Sequence, residues 1–383
     1  MSLPLHFGPS NVLQAVKFFD PEFKASIPQT AIIFSTLAVI NFQMALRNTS
    51  QSREKLKESS EQYHYTLSLL PQLWFDSSLE SMQAQAQLLC LVRMLPKPGH
   101  SWEQSSMLLH RLIDFDYHRS ATKITLPESQ HNPLAIEMRK RVFWTVVSIN
   151  VMTCLKLGKP MPFRAEDVDV EFPAVLEESE ISEAGIAQDR TGRCTIRSAI
   201  YIARLQPLLI ELYNQIISVR SPAAVYRKRV EELRKKIAEW RQDWTRQSAV
   251  DQQDGFLTLA TLHLDTWGAE FELMLHHPQL CTAPEEMEKN LGVCLSAALR
   301  MMNNARLVFG KYKAVDFTWN AMVSYCLAFG ITLDIYRRPK TRIGREKLDS
   351  VRKELDDWLK IMMIADKVLS TWTATLPDRQ PLT

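Results

Sequence analysis

The sequence predicts an all-α fold, a large multi-helix domain with antiparallel helix packing and one short extended segment near residues 166–173. Glycine accounts for only 11 of the 383 residues, which argues against a loop-rich β architecture. Hydrophobic residues make up 46% of the chain, enough to bury a large core. Apolar side chains also recur at helical spacing through most of the chain, so neighbouring helices can pack their apolar faces together.

Four helices are predicted in the first third of the chain. Residues 31–46 form the most apolar run, but the run contains two amide side chains and is too short to span a membrane, so we expect a buried core helix. Further helices are predicted over 53–70 and 79–95. Ser101 is expected to cap the next helix, over 102–117, because a serine hydroxyl can accept a hydrogen bond from an unpaired amide of the first turn.

The most informative stretch is residues 132–173. Asn132 can cap a helix whose first residue is Pro133, where a missing amide proton costs nothing. Gly158 and Pro160 then end this helix, because glycine adopts the left-handed conformation of a helix end and proline cannot continue the hydrogen-bond ladder. Beyond the stop, apolar residues alternate with acidic ones, and this period of two predicts the extended segment. The alternating residues are Asp167, Val168, Asp169, Val170, Glu171 and Phe172.

Three pieces of this stretch, taken in order, closely resemble the middle homology region of fungal zinc-cluster transcription factors. That family usually carries a basic triplet before Phe-Trp, then a Gly-Arg-Pro turn, then Glu-Asp-Ile-Asp-Val before a proline. The matching residues here are Arg139, Arg141, Phe143, Trp144, Gly158, Pro160, Asp167, Asp169 and Pro173. The resemblance covers a motif core at 83–173, and the predicted helix at 259–278 is similar to a later helix of the family.

The chain departs from the family pattern at four positions. A family Asp-Arg pair, the arginine of the turn and a glycine near the end of the preceding helix are replaced here by Asn150, Val151, Lys159 and Asp116. These replacements put in doubt any salt bridge that the family makes there. Within the motif we expect the basic triplet 139–141 to form an ion pair with Asp167 or Asp169, which would join the helix to the extended segment.

The resemblance implies an all-α domain that regulates an attached DNA-binding module and helps it to dimerise or to receive a small-molecule effector. In the family, zinc belongs to that module, which needs six closely spaced cysteines. The six cysteines of this chain are scattered, without a Cys-x-x-Cys pair, so we expect reduced buried thiols. We therefore expect the chain to lack the module, to hold no zinc or other cofactor, and to contact DNA only indirectly.

Composition divides the chain into four parts. Residues 1–173 are expected to form the N-terminal half of the domain, and residues 174–194 an acidic surface loop with few aliphatic side chains. Residues 195–376 are expected to form a C-terminal helical half. Residues 377–383 are left as a tail.

Two later helices carry regular apolar seams whose steps alternate between three and four residues, a spacing typical of coiled-coil packing. The first seam consists of Tyr226, Val230, Leu233, Ile237, Trp240 and Trp244. The second consists of Leu348, Val351, Leu355, Trp358, Met362, Ala365, Leu369 and Trp372. Antiparallel packing inside the same domain is favoured, because tryptophan fits poorly in a tight two-stranded core. A seam between the chains of a homodimer or heterodimer is the alternative.

The densest basic cluster follows a predicted late helix and comprises Arg337, Arg338, Lys340 and Arg342. Such a cluster can act as a nuclear import signal or contact phosphate, although a solvated loop between helices is the more common explanation. The net charge of +3 is nearly balanced, so the chain as a whole is not expected to be drawn to nucleic acid or to a membrane.

No catalytic motif is found in the sequence, and we predict that the chain is not an enzyme. A terpene cyclase needs clustered carboxylates that hold magnesium, but Asp356 and Asp357 are followed by Lys360 where a third carboxylate belongs. Walker, Gly-x-Gly-x-x-Gly and Gly-x-Ser-x-Gly motifs do not occur. A cation site at the acidic residues of the extended segment is disfavoured, and no catalytic, cofactor-binding or metal-binding residue is assigned.

The leading hypothesis is the regulatory domain of a fungal transcription regulator that acts in the nucleus on transcription by RNA polymerase II, for example of a metabolic gene cluster. This hypothesis rests on the family resemblance. The alternative is a partner-dependent co-regulator, or a small-molecule-sensing adaptor, that acts through protein contacts without binding DNA directly.

Overall fold

Ten α-helices make up most of the described part of the chain. The structure, a computed structural model, describes residues 22, 24–47, 51–95, 98–189, 194–218, 226–248, 255–278, 284–312, 318–337, 351–352, 355–363 and 370. The helices are α1 (Ile27–Arg47), α2 (Ser52–Phe75), α3 (Leu79–Val92), α4 (Pro98–Asp114), α5 (Pro133–Leu157), α6 (Arg197–Leu212), α7 (Tyr226–Ser248), α8 (Gly255–Leu275), α9 (Pro284–Tyr312) and α10 (Trp319–Arg337). The predicted all-α class is confirmed.

Helices that follow one another in the chain form several of the main packing pairs. α1 packs on α2, α4 on α5, α8 on α9 and α9 on α10, and α1 also packs on α3. Such pairing is expected of antiparallel neighbours joined by short connections.

The first helix is a core helix, as predicted from its length and its amide side chains. By length and composition alone, residues 27–45 are apolar enough to cross a membrane. Half of that stretch is nevertheless buried inside the protein, including Ile33, Ala38 and Phe42. The buried Ser59 hydroxyl of α2 also donates a hydrogen bond of 2.7 Å to the Ala38 carbonyl oxygen.

The beginning of α4 differs from the prediction. The helix starts at Pro98, and Ser101, which was expected to cap it, lies within its first turns and is buried. Proline is well suited to the first helical position, because the amide proton that it lacks would have no partner there. Helix α4 therefore begins three residues before the expected cap.

The end of α4 explains the replacement of the family's glycine. Asp116 has a φ of 56°, the left-handed conformation that usually favours glycine. The backbone amide of Tyr117 donates a hydrogen bond to the Leu112 carbonyl oxygen at 2.8 Å, and the amide of Asp116 donates to that of Ile113 at 3.0 Å. These two bonds define a Schellman motif, so Asp116 occupies the position at which the chain reverses after the helix.

The described residues contain two main hydrophobic clusters. The larger one is built from α1 to α8, and the smaller one from α8, α9, α10 and residues 351–361. Helix α8 belongs to both, because Leu264 and Phe271 pack in the first cluster while Ala269 and Leu273 pack in the second. α8 therefore contributes side chains to both clusters.

The first apolar seam packs inside the domain, as favoured. Leu233, Ile237, Trp240 and Trp244 of α7 are buried in the larger cluster, and the Trp240 Nε1 donates a 2.9 Å hydrogen bond to the Tyr201 carbonyl oxygen of α6. In the second seam Val351, Leu355 and Trp358 are buried in the smaller cluster, and Met362 packs against it. The seam positions Leu348, Ala365, Leu369 and Trp372 lie outside the residues whose side chains are described.

The segment after α5 is irregular rather than part of a sheet. It begins with a 3₁₀ turn at Ala165–Asp167 and continues through an extended Val168 to Pro173, with both Asp169 and Val170 donating backbone hydrogen bonds to the His118 carbonyl oxygen. The predicted acidic loop contains another 3₁₀ turn, Glu178–Glu180, and a small antiparallel hairpin, β1 (Ile181–Ser182) and β2 (Gly185–Ile186). The proposed domain boundaries remain predictions.

Candidate functional site

The family-like stretch folds as one unit around α5, which begins and ends at the residues that the sequence indicates. Asn132 Oδ1 accepts a hydrogen bond of 2.8 Å from the backbone amide of Ala135, and Pro133 is the first residue of the helix. Gly158 has a φ of 63° and its amide donates to carbonyl oxygens of the last turn. Pro160 follows at an exposed position where the helix has already ended.

Arg141 is held in the interior by its own helix. Its Nε lies 2.9 Å from Glu137 Oε1, and both side chains are at most 5% exposed. Arg141 also donates to the Leu176 carbonyl oxygen, and Glu137 accepts from the backbone amide of Ala174. The pair therefore orders the chain that follows the buried Pro173.

Arg139 is buried against the turn after α4. Its guanidinium lies 3.9 Å from the centre of the Tyr117 ring and donates to the Phe115 carbonyl oxygen and to Gln130 Oε1. Burial raises the pKa of Tyr117 to about 12 and lowers the pKa of Arg139 from its ordinary value. Arg139 thus connects α5 to the turn at Asp116.

The predicted ion pair between the basic triplet and Asp167 or Asp169 was wrong. Among the described residues, Asp169 pairs with Arg119 and Lys123, each at 3.0 Å, and Asp167 pairs with Arg164 at 2.8 Å. The physical reason is orientation: the two arginines of the triplet face the interior, whereas both aspartates are partly exposed. Lys140 is the member of the triplet that reaches the segment, at 3.3 Å from Glu171.

The two aromatic residues of the motif join the helix to the segment. Phe143 is fully buried, and the Trp144 Nε1 donates a hydrogen bond of 3.1 Å to the Glu171 carbonyl oxygen. The ring of Trp144 also packs on Phe172, with 4.6 Å between ring centres. A basic-aromatic helix, its glycine stop and the acidic segment therefore form one scaffold.

Two departures from the family have local partners here. The fully buried Asn150 donates hydrogen bonds to the hydroxyls of Ser105 and Ser106 on α4, at 3.0 and 3.1 Å. Lys159, which replaces the arginine of the turn, lies over the ring of Trp102 at 5.0 Å. An amide-hydroxyl contact therefore stands where the resemblance put a salt bridge in doubt.

The basic cluster is only partly described. Arg337 is exposed at the last position of α10. Arg338, Lys340 and Arg342 lie outside the described residues. The nuclear import signal therefore stays a prediction.

Within the described ranges, no group of three or more His, Cys, Asp or Glu side chains could hold a metal ion. Cys90, Cys154, Cys194 and Cys294 are free and buried, whereas Cys326 is free and exposed. Cys281 lies outside the described residues.

A pocket that the sequence did not indicate lies where the two hydrophobic clusters meet. It is lined by the end of α3, by α5, α6 and α8, and by residues 318–325 at the start of α10. The pocket encloses about 900 Å³ including its open mouth, and about 100 Å³ of it admits the centre of a water-sized sphere.

A buried charged group lies in the wall of this pocket. The Lys156 ammonium of α5 is 3.1 Å from Glu270 Oε1 of α8 and 2.5 Å from the Ser324 hydroxyl of α10, and it also donates to the Asn320 carbonyl oxygen. The side chains of Lys156 and Glu270 are 6% and 8% exposed. Three helices that belong to different clusters thus meet at one ammonium group.

The rest of the wall is largely apolar and aromatic. Ile149, Met152, Trp267 and Tyr325 are among its residues. Trp267 Nε1 donates a 3.0 Å hydrogen bond to His263 Nε2. Because an indole N–H can only donate, that imidazole nitrogen carries no proton and the His263 ring is neutral.

Sequence reasoning missed the pocket because its walls come from helices far apart in the chain. Lys156 and Glu270 are 114 positions apart, and no local spacing connects them. The only available signal was a charged residue within each of two apolar helical runs.

Comparisons with known proteins agree with the scaffold. The family model described as "Fungal specific transcription factor domain" matches residues 15–242, more than half of the chain. Activator of stress genes 1 of Saccharomyces cerevisiae is 24% identical over 182 residues, which are 47% of this chain and 18% of that protein. Transcriptional activator protein acu-15 of Neurospora crassa is 29% identical over 108 residues, 28% of this chain and 12% of that protein.

A third relative, an ABC-transporter-regulating transcription factor of Aspergillus fumigatus, is 23% identical over 167 residues, 43% of this chain and 18% of that protein. The chain thus spans less than a fifth of the length of the curated relatives it matches. No solved structure matches it. The family match and the scaffold around α5, together with three relatives that are transcription regulators, establish that the chain belongs to the fungal specific transcription factor domain family.

Proposed function

We propose that this chain is a regulatory domain that modulates transcription by RNA polymerase II in the fungal nucleus through contacts with other proteins. The observation that carries the proposal is the family match across the scaffold formed by α5 and residues 158–173. The relatives are transcription regulators, and the proposed role requires no catalytic step. DNA would be contacted by a zinc-cluster module, supplied either by the same protein or by a partner.

Indirect contact with DNA is supported by the placement of the motif's basic residues. Arg139 and Arg141 are buried and use their donors on protein acceptors, so they offer no surface for phosphate. Phosphate contacts from exposed basic side chains supply most of the affinity of proteins for DNA. The net charge of +3 adds little attraction of that kind.

A tethering assay tests the regulatory role. The chain is fused to an unrelated DNA-binding domain, and transcription of a reporter that carries the matching operator is measured in a fungal host. We expect a change in reporter transcription that is lost in Arg141→Leu, which removes a support of the scaffold. The change should be kept in Lys140→Ala, which alters a partly exposed ion pair. A wild-type fusion that leaves the reporter unchanged would contradict the proposal.

A gel shift tests how DNA is reached. The purified chain is mixed with operator DNA, alone and together with a zinc-cluster protein. We expect no shift from the chain alone and a supershift when the zinc-cluster protein is present. A sequence-specific shift by the chain alone would disprove indirect contact.

The second candidate is a small-molecule-sensing adaptor, and the pocket between the two clusters favours it. A ligand bound there would touch α5, α8 and α10 together, and so could change how the clusters pack. If this role holds, reporter transcription in the tethering assay changes when a pocket ligand is added, without any change in the amount of fusion protein.

A further inference from the structure

We propose that the pocket at the junction of the two clusters binds a small neutral aromatic molecule that carries a hydroxyl group. The hydroxyl would donate its hydrogen bond to Asn320 Oδ1 or Glu270 Oε2, with the ring packed against Trp267 and Tyr325. Only the expected effect of the ligand on transcription rests on the proposed sensing role. The binding itself can be measured on the purified chain.

The first support is a pair of acceptors that lack donors. Asn320 Oδ1 is buried, and no described residue donates a hydrogen bond to it. Glu270 Oε1 accepts a hydrogen bond from Ser324 and forms the ion pair with Lys156, whereas Oε2 receives no hydrogen bond from the described residues. Because Asn320 Oδ1 is buried, its missing donor costs free energy, and a ligand that brings a donor recovers that cost on binding.

The second support is that the Lys156 ammonium already has partners in the protein. The ammonium donates hydrogen bonds to the Ser324 hydroxyl and to the Asn320 carbonyl oxygen, and its charge is balanced by Glu270 Oε1 at 3.1 Å. Lys156 is therefore poorly placed to accept an additional anion. A ligand carboxylate would instead face the unused oxygen of Glu270 and the amide oxygen of Asn320.

The third support is the charge of the lining. The charges of Lys156 and Glu270 cancel, and His263 is neutral because its Nε2 accepts a hydrogen bond from Trp267. Arg93, which also lines the pocket, leaves a single positive charge that disfavours a cationic amine. A hydroxyl donates a hydrogen bond without adding charge, so it suits both acceptors better than an ammonium group does. Arg93 is half-buried and could anchor an anion, so an anionic probe belongs in the test.

The fourth support is the size and surface of the remaining walls. Ile149 and Met152 of α5 face the same space as Trp267 of α8 and Tyr325 of α10. Apolar walls with a few fixed polar groups are typical of small-molecule sites. A bicyclic ring suits a pocket whose innermost space is about 100 Å³ and whose mouth is open.

The test is isothermal titration calorimetry of the full chain with three probes of equal ring size. 1-Naphthol brings a neutral donor, 1-methoxynaphthalene brings none, and 1-naphthoate brings an anion. We expect 1-naphthol to bind about tenfold more tightly than 1-methoxynaphthalene, the factor that corresponds to one hydrogen bond. Equal binding of these two probes, tightest binding of 1-naphthoate, or no binding of 1-naphthol would overturn the proposal.

Asn320→Leu removes the unpaired acceptor while keeping a side chain of similar size. In this variant the preference for 1-naphthol is expected to fall by about tenfold if Asn320 is the main acceptor. The matched control is Asn303→Leu, an exposed asparagine of α9 that does not line the pocket, and it should keep the preference. An unchanged preference in Asn320→Leu would refute the part assigned to Asn320.

Hydrogen-deuterium exchange of the wild-type chain locates the site even if the variant fails to fold. Bound 1-naphthol should slow amide exchange near residues 263–270 and 318–325. Slowed exchange elsewhere, with no change in these two segments, would contradict the assignment of the pocket. A failed tethering assay combined with successful 1-naphthol binding would reject the transcriptional role and leave the ligand site intact.

Discussion

Glu137 and Arg141 form an ion pair one turn apart on α5, with 2.9 Å between Glu137 Oε1 and Arg141 Nε and with both side chains buried. Each member also holds the backbone of the following segment, Glu137 at the Ala174 amide and Arg141 at the Leu176 carbonyl oxygen. Removing water from two charges is costly, so these additional hydrogen bonds are needed to satisfy the buried groups. The pair therefore couples the family motif on α5 to the chain that leaves Pro173.

Replacement of Arg141 by leucine is expected to lower the free energy of unfolding by about 3–5 kcal/mol, because it leaves the Glu137 carboxylate buried without its partner. Urea denaturation followed by circular dichroism measures the change. Lys140→Ala is the control, since the pair of Lys140 with Glu171 is partly exposed and should contribute less than about 1 kcal/mol. Equal losses in both variants would show that burial does not set the strength of these pairs.

Asp116→Gly is expected to raise the free energy of unfolding by about 0.5–1 kcal/mol. Asp116 has a positive φ, and glycine relieves the strain of a side chain in that conformation. Thermal unfolding provides the measurement. The reciprocal change, Gly158→Ala, introduces a side chain at a φ of 63° and should lower stability by about 1 kcal/mol. A change of the same sign in the free energy of unfolding of both variants would contradict the role assigned to positive φ.

Gly268→Ala is expected to lower the free energy of unfolding by about 1–3 kcal/mol through overpacking. A Cβ at this position would lie 2.9 Å from an Arg241 guanidinium nitrogen and 3.2 Å from the Trp240 ring. Arg241 cannot move away freely, because its other terminal nitrogen is 2.7 Å from Glu272 Oε1. The Trp240 ring is likewise held by its hydrogen bond to Tyr201.

Gly292→Ala is the matched control for this prediction. Gly292 lies within α9, and an added Cβ would meet no atom within 4 Å. Alanine is better than glycine in a helix interior, so the control should raise stability by about 0.5–1 kcal/mol. If the urea midpoints of both variants shift in the same direction, the predicted clash of a Cβ at position 268 with Arg241 and Trp240 is contradicted.

Asp169 should make the stability of the protein dependent on pH in the acid range. A hydrogen bond from the Ser120 amide, followed by those from Lys123 and Arg119, holds the pKa of Asp169 well below its ordinary value of 3.8. The stabilisation that ionised Asp169 contributes is therefore complete above its ordinary pKa, and it is lost as the pH falls towards the lowered pKa of the folded protein. The loss of urea stability between neutral pH and about pH 3 should be smaller in Asp169→Asn than in the wild type.

Asp114→Asn, an exposed substitution at the end of α4, controls for the effect of introducing an amide. Its acid dependence should match that of the wild type. An acid dependence of Asp169→Asn that matches the wild type as well would contradict the role assigned to Asp169.

The ends of α5 and the packing of the first apolar seam depend on nearby residues and were therefore predictable from the sequence. The cap at Asn132 and the left-handed end at Gly158 depend on residues within one or two turns, so the sequence indicated both ends of α5. The first coiled-coil-like seam was correctly placed inside the domain, because its tryptophans are too large for a narrow two-stranded interface. The cap expected at Ser101 was wrong, because the helix begins three residues earlier, at Pro98.

The amino-acid sequence by itself determined the all-α class, the limits of α5 and the family of this chain, because these depend on periodicity, helix ends and motif order. Only the tertiary structure decided which charged partners meet. Arg139 and Arg141 face the interior, whereas Asp169 forms ion pairs with Arg119 and Lys123. Lys156 forms an ion pair with Glu270, which lies on a helix more than a hundred residues further along the chain. The pocket arises from the same long-range packing, since its walls belong to helices that have no common signal along the chain.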